Sequence, residues 1–245
     1  LEMNDRVIGG INKKSTKISS AFYKSFVKGK CLETDNRTAE LCKLVENSYR
    51  DANIAFANEL SLISENLEID VWNLIKLANH HPRVNILNPG PGVGGHCIAI
   101  DPWFIVSESP DHAKLIRTAR EINDLKPDWV LSKIKEAIGQ YLQENSNMTS
   151  KEMVIACYGL TFKPDVDDVR DSLSLKLLKI LKKKCSKVFI SDEFYIHPQG
   201  ISKENLIKKS DIVIVAVPHA RYKKIKIPKN KIIIDTWGII KRDNL

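Results

Sequence analysis

The chain has 245 residues, 43% of them apolar, and a formal net charge of +8. That content over that length supports about two packed domains and excludes a disordered chain. Five cysteines (Cys31, Cys42, Cys97, Cys157, Cys185), odd in number and without C-x-x-C spacing, argue against a disulfide framework or a metal site, and no apolar run approaches the ~20 residues of a membrane span, so a reducing cytoplasm is the expected compartment.

In chain order, Arg6-Val7-Ile8-Gly9-Gly10 predicts a strand end, and residues 16–28 a helix with Ile18, Phe22, Phe26 and Val27 on one side. From residue 35 the pattern is all-helical: a long helix over 36–66, a second over 70–79 stopped before Pro82, a third over 111–124 and a fourth from 126 to about 144. A helix of about 30 residues spans ~45 Å, more than a helical region of ~100 residues covers by itself, so part of its apolar face is expected to bury against a second copy of the chain. Residues 144–150 are polar and turn-rich, a domain boundary. Beyond them, β-branched runs at 153–158, 187–191, 211–217 and 231–235 alternate with helical stretches at 172–184 and 203–209, the pattern of a parallel sheet buried on both faces, with Cys157 and Cys185 expected inside it. Ligands of such sheets sit beyond the carboxyl ends of strands, which gathers 159–170, 191–192, 218–219 and 236–238 around one crevice. The fold class is therefore α/β overall, an all-α central region followed by a Rossmann-like parallel α/β domain.

From Asn147 onward there are 20 Lys/Arg against 11 Asp/Glu, a balance of +9; the residues before it carry 18 against 19, or −1. The basic runs at 182–184 and 221–224 suit a nucleotide diphosphate or a solvated surface; aromatic residues are too sparse among them to suggest a nucleic-acid partner.

Between the second and third helices, Pro89-Gly90-Pro91-Gly92-Val93-Gly94-Gly95-His96-Cys97-Ile98-Ala99-Ile100-Asp101 presents a cysteine from a glycine-rich turn, with a carboxylate four residues later. Such a turn permits positive φ and close approach to a ligand, and a thiol placed there can attack a bound carbonyl. In the long helix Lys43 and Asn47 are i and i+4, on one face, with Asp51 one turn on. An ammonium beside an amide can hold an oxyanion. Adjacent residues point apart, so His96 is not expected to serve as the base for Cys97.

Lys43-x-x-x-Asn47, then Gly94-Gly95-His96-Cys97 with Asp101, then Gly159-Leu160-Thr161-Phe162-Lys163-Pro164 leading to Arg170-Asp171-Ser172, resemble the UDP-sugar dehydrogenase family in order and spacing over nearly the whole chain. The string from Gly95 to Phe104 resembles most the branch that oxidises UDP-N-acetyl-D-mannosamine to its uronate. The resemblance implies a two-step, NAD-dependent oxidation through a thioester on Cys97. Lys43 and Asn47 would hold the oxyanions and Asp101 would direct the hydrolytic water. Arg83, Asn85, Gly94, Phe162 and Lys163 would bind substrate, Arg83 in the partner subunit's site, and Arg170 would reach the cofactor; no metal is implied. It further implies that residues 1–34 are the tail of a cofactor domain largely absent here, 35–146 the helical domain with the dimer helix, and 147–245 the UDP-sugar domain, so that this chain alone is expected to be inactive. Two positions depart from the family: Glu193 after Asp192, where proline is common, and Trp237, where a basic residue is common. The alternatives are oxidation of UDP-N-acetylglucosamine or UDP-glucose, or a non-catalytic module for nucleotide-sugar binding or dimerisation.

Overall fold

A computed structural model describes residues 2–184, 187–228 and 230–240; Cys185 lies outside them. Strand β1 (Arg6–Gly10) pairs in parallel with β2 (Cys31–Asp35), and helix α1 (Lys13–Lys24) joins them. Helix α1 begins earlier than residue 16 because the Asn12 side chain accepts the Ser15 N–H while Ser15 caps back, a reciprocal box that fixes the start. Strand β2 was not expected: its Leu-Glu-Thr-Asp has no β-branched run, and it forms because β1 supplies a register, Ile8 opposite Glu33.

Helix α2 (Asn36–Asn66) has the expected bounds, capped by the Asp35 carboxylate accepting from Thr38 N. Its burial is inverted relative to an ordinary amphipathic helix. The inward face is small and polar (Asn47, Ser48, Asp51, Asn58, Ser61, Ser64), whereas Leu41, Val45, Tyr49, Phe56 and Ile63 are exposed. Helix α3 (Val71–Ala78) follows, capped by Asp70, and a short helix α4 (Asp101–Glu108) opens directly after the cysteine turn, with Pro102 in its first turn, where the missing N–H costs nothing.

The expected third and fourth helices are one. Helix α5 (Lys114–Glu144) runs through Pro127 without ending. Proline inside a helix costs about 3 kcal/mol, but both halves of α5 are held: Ala119, Arg120, Asn123 and Lys126 pack against α2, and Val130 and Ile134 enter the core of the following sheet. That sheet comprises β3 (Val154–Tyr158), β4 (Lys187–Ser191), β5 (Ile212–Val215) and β6 (Ile232–Asp235), all parallel in the order β4-β3-β5-β6. Helix α6 (Leu173–Lys184) joins β3 to β4, and α7 (Lys203–Lys209) joins β4 to β5. Side chains alternate between two cores: Ile155, Cys157, Ile212 and Ile214 face α5 and α6, while Ala156, Tyr158, Val213 and Val215 face Leu206 and Tyr222. The strand order turns back between β4 and β5, so the crevice outside β3 and β5 is the switch point at which ligands bind in such folds.

Lys126 is buried at 3% exposure, its Nζ donating to Ser61 Oγ at 2.6 Å and lying 3.4 Å from the centre of the Trp129 ring. Burial pushes its ammonium down to about 7, against the opposing pull of Glu65. The unfolded chain keeps this proton until the ordinary lysine range, so between the two values it binds more protons than the fold, and stability should rise with pH. The expected slope is up to about 1.4 kcal/mol per unit from pH 7 to 9, read from urea midpoints and flattened in Lys126→Met. Above that window Cys157, whose thiol burial pushes up to about 12, works in the opposite direction.

Candidate active site

The turn carrying Cys97 is built by two glycines in backbone conformations that residues with a Cβ rarely adopt. Gly92 has φ +119°, and a Cβ there would lie 2.9 Å from the Asn123 carbonyl oxygen and 3.1 Å from the Pro127 ring. Gly95 has φ +87°, with the Phe162 ring 3.1 Å from where a Cβ would stand. Upstream, Gly90 N donates to Asn58 Oδ1 at 2.9 Å, Asn58 Nδ2 donates to Asn123 Oδ1 at 2.8 Å, and Asn123 Nδ2 donates to Asp51 Oδ1 at 2.8 Å. Arg120 Nη1 closes this buried chain on Asp51 Oδ1 at 2.6 Å and pairs through Nη2 with Asp124. Burial pushes the Asp51 carboxyl up, while Arg120 and Asn123 pull it back. This network links α2, α5 and the start of the turn, and reasoning from the sequence missed it.

Downstream, the Cys97 carbonyl accepts from Ile100 N at 3.0 Å and Asp101 N at 2.8 Å, which seats Cys97 against the start of α4 with its side chain exposed. Buried Asn47 donates from Nδ2 to Asp101 Oδ2 at 2.5 Å, bringing together two of the residues that the sequence singled out. Lys43, one turn earlier, is turned to solvent and paired with Glu46 at 3.4 Å, both side chains more than half exposed. Such a pair contributes little and yields easily to a better anion.

The second wall is the loop after β3. Phe162 N donates to Asp168 O at 3.0 Å, and Lys163 Nζ stands 5.3 Å from the Phe162 ring centre. Arg170 binds Asp168 through two parallel bonds, Nε to Oδ1 at 3.0 Å and Nη2 to Oδ2 at 2.6 Å, and this holds the Asp168 carboxyl down to about 2. Arg170 also lies within electrostatic reach of Cys97. The His96 ring meets Phe162 edge-on at 6.4 Å. The two walls touch: Gly95 N donates to Asp171 O at 3.3 Å, and a Cβ at Gly94 would stand 3.0 Å from the same oxygen. Arg83 and Asn85 are exposed on the segment after α3, which Asn79 pins to Ile86; among the described residues neither bonds to the Cys97 turn. A cavity of ≈420 Å³ beside the turn is lined by Gly94, Gly95, Ile100, Asp171 and Lys176 but not by Cys97 or Lys163, which face open surface.

The rest of the expected crevice also converges. Asp192 Oδ2 accepts from Leu160 N at 2.6 Å and lies 3.1 Å from His219 Nε2, and Trp237 Nε1 donates to Ala216 O at 3.0 Å. With its indole so engaged, the Trp237 ring lies against Gly90, 2.7 Å from where a Cβ would be.

Residues 37–125 match the central domain, and residues 156–242 the UDP binding domain, of the UDP-glucose/GDP-mannose dehydrogenase family. An NDP-N-acetyl-D-galactosaminuronic acid dehydrogenase of Ralstonia nicotianae is 45% identical over 96% of this chain and 56% of its own length. A UDP-N-acetyl-D-mannosamine dehydrogenase of Escherichia coli is 48% identical over 96% of this chain and 59% of its own length. The solved UDP-D-ManNAc dehydrogenase of Pyrococcus horikoshii superposes with a TM-score of 0.86 at 37% identity, covering 97% of this chain and 57% of that one. The chain thus spans between half and two thirds of the length of the relatives it matches.

Proposed function

This chain belongs to the UDP-glucose/GDP-mannose dehydrogenase family, and on that premise we propose that it supplies the covalent and hydrolytic part of a cytoplasmic UDP-sugar 6-dehydrogenase acting on UDP-N-acetyl-D-mannosamine. The observation that carries this reading is the bond from Gly95 N to Asp171 O, which joins the cysteine turn to the loop of Phe162 and Lys163. A nucleotide held by the loop would then extend its sugar toward the thiol. In this reading residues 35–146 bear the chemistry and 147–245 bind the nucleotide.

Two hydrides must leave the sugar's C6, and NAD is the acceptor we propose on the family resemblance alone, with Arg170 reaching it. The residues described here do not fit its pyrophosphate. The turn from β1 into α1 is closed on itself, with Gly10 N donating to Thr16 Oγ1 and Ser15 N to Asn12 Oδ1. The spacing Gly90-x-Gly92-x-x-Gly95 joins two helices rather than a strand to a helix, so it is no dinucleotide turn. For that reason the chain alone is proposed to be inactive.

Its own residues act as follows. The Cys97 sulfur bonds to the aldehyde carbon at C6, giving a hemithioacetal whose oxygen is held by the Lys43 ammonium and by the second Asn47 N–H, the first being spent on Asp101. Once that carbon is at the acid oxidation level, Asp101 takes a proton from water as it attacks the thioester; the carbon–sulfur bond breaks, the carboxylate leaves and the Cys97 thiolate returns. Calorimetry with a panel of UDP-sugars tests the reading. UDP-N-acetyl-D-mannosamine should bind more tightly than UDP-glucose; equal binding would sink the substrate assignment, and no binding of any would leave the non-catalytic dimerisation module. UDP-N-acetylgalactosamine belongs in the panel because one relative is named for the corresponding acid.

We also propose a homodimer through α2. Its exposed Leu41, Val45, Tyr49, Phe56 and Ile63 form a continuous apolar side on a helix of roughly 46 Å. The chain should scatter light as a dimer at tens of micromolar, and Phe56→Asp should shift it toward monomer; a monomeric wild type would refute the interface.

A further inference from the structure

His219 is fully buried at the carboxyl end of β5, and no step above uses it. Its Nδ1 accepts the Asp165 N–H at 2.9 Å. An N–H aimed at Nδ1 requires a lone pair there, so the ring is neutral and Nε2 carries the proton, donated to Asp192 Oδ2 at 3.1 Å. Asp192 is fixed in turn, its Oδ1 accepting from Phe194 N at 2.8 Å and Tyr195 N at 3.0 Å. Phe194 and Tyr222 flank the imidazole, with centres 5.1 and 5.0 Å away, so it has no room to turn. Asp165 has φ +58°, the left-handed region that residues with a Cβ seldom adopt, and it is kept there by the bond to His219 and by Ala220 N donating to its Oδ1 at 3.1 Å. Four residues earlier, Thr161 Oγ1 donates to Lys163 O at 2.9 Å. The turn that offers Phe162 and Lys163 is therefore anchored at both ends, and one anchor is a buried ring.

We infer that His219 is the positioning residue of the nucleotide-binding loop: by accepting the Asp165 N–H it holds Asp165 in its left-handed conformation and so presents Phe162 and Lys163 to a uridine diphosphate. The inference rests on the UDP-sugar reading above. Two isosteric variants separate its halves, because an Asn Oδ1 reaches the Nδ1 position and can still accept from Asp165, whereas a Gln Nε2 reaches the Nε2 position and can still donate to Asp192. In this chain, calorimetry with UDP should find His219→Asn within about threefold of wild type and His219→Gln about tenfold weaker, the loss of one net hydrogen bond, while the two variants melt within a few degrees of each other. Hydrogen exchange at the Asp165 amide reads the clamp without ligand: it should be slow in wild type and His219→Asn and fast in His219→Gln. Equal exchange in all three, or affinities that merely follow the melting temperatures, overturns the positioning role. A wild type that does not bind UDP while the amide behaves as expected overturns the nucleotide reading instead.

Discussion

Cys97→Ser, in a polypeptide joining these residues to a dinucleotide-binding domain, should leave UDP-sugar affinity unchanged and cut uronate formation by about three orders of magnitude or more. Sulfur is intrinsically the stronger nucleophile and leaves readily from an acyl carbon; a serine hydroxyl does neither without a neighbouring base. His96 offers none, since its ring is turned to Phe162, and Asp101 is the base assigned to the hydrolytic water. A loss of that size corresponds to about 4 kcal/mol of transition-state stabilisation. Lys163→Ala should show the reverse defect, weakening UDP-sugar binding by roughly 1–3 kcal/mol through one charge-assisted contact while bound substrate reacts nearly normally. Equilibrium binding with single-turnover kinetics distinguishes them, and uronate formed by Cys97→Ser at the wild-type rate would remove the thioester from the account.

The largest stability effect should come from Asp51→Ala. Asp51 and Arg120 are each 1% exposed, and the carboxylate gathers Arg120 Nη1 and Asn123 Nδ2 at 2.6 and 2.8 Å. Removing it leaves a buried guanidinium with only the half-exposed Asp124, a loss of about 3–5 kcal/mol in urea unfolding. Asp51→Leu with Arg120→Met, which removes both charges, should cost less than Asp51→Ala alone. The change should also loosen the cysteine turn, because Asn123 and Asn58 carry the same network to Gly90. A loss under about 1 kcal/mol would mean that the network does not hold the turn.

What the sequence made legible was periodic or local. Helix α2, strand β1 and the four strands of the larger sheet follow from spacing and β-branched runs, whereas Asn47 and Asp101, 54 residues apart, were associated only through the resemblance to the family. What was hidden depends on partners far away in the chain. Strand β2 exists through β1; α5 survives Pro127 through burial on α2 and the sheet; and the chain from Arg120 through Asp51, Asn123 and Asn58 to Gly90 joins positions no local window contains. Four of them, Arg120, Asp51, Asn123 and Asn58, are polar residues within helical patterns, where the ordinary expectation is a solvated face. His219 and Asp192 could be gathered into the crevice from strand ends alone, but the bond to Asp165 could not.

One alkylation experiment on this chain tests whether the thiol and the nucleotide share a site. Iodoacetamide should modify exposed Cys97 well before Cys157, which is fully buried with its thiol pushed up to about 12. Saturating UDP-N-acetyl-D-mannosamine should slow the reaction at Cys97 several-fold by peptide mass spectrometry while leaving Cys31 and Cys42 unaffected. If the sugar nucleotide binds by calorimetry yet Cys97 reacts at the same rate with and without it, the cysteine turn and the nucleotide loop are not two walls of one active site.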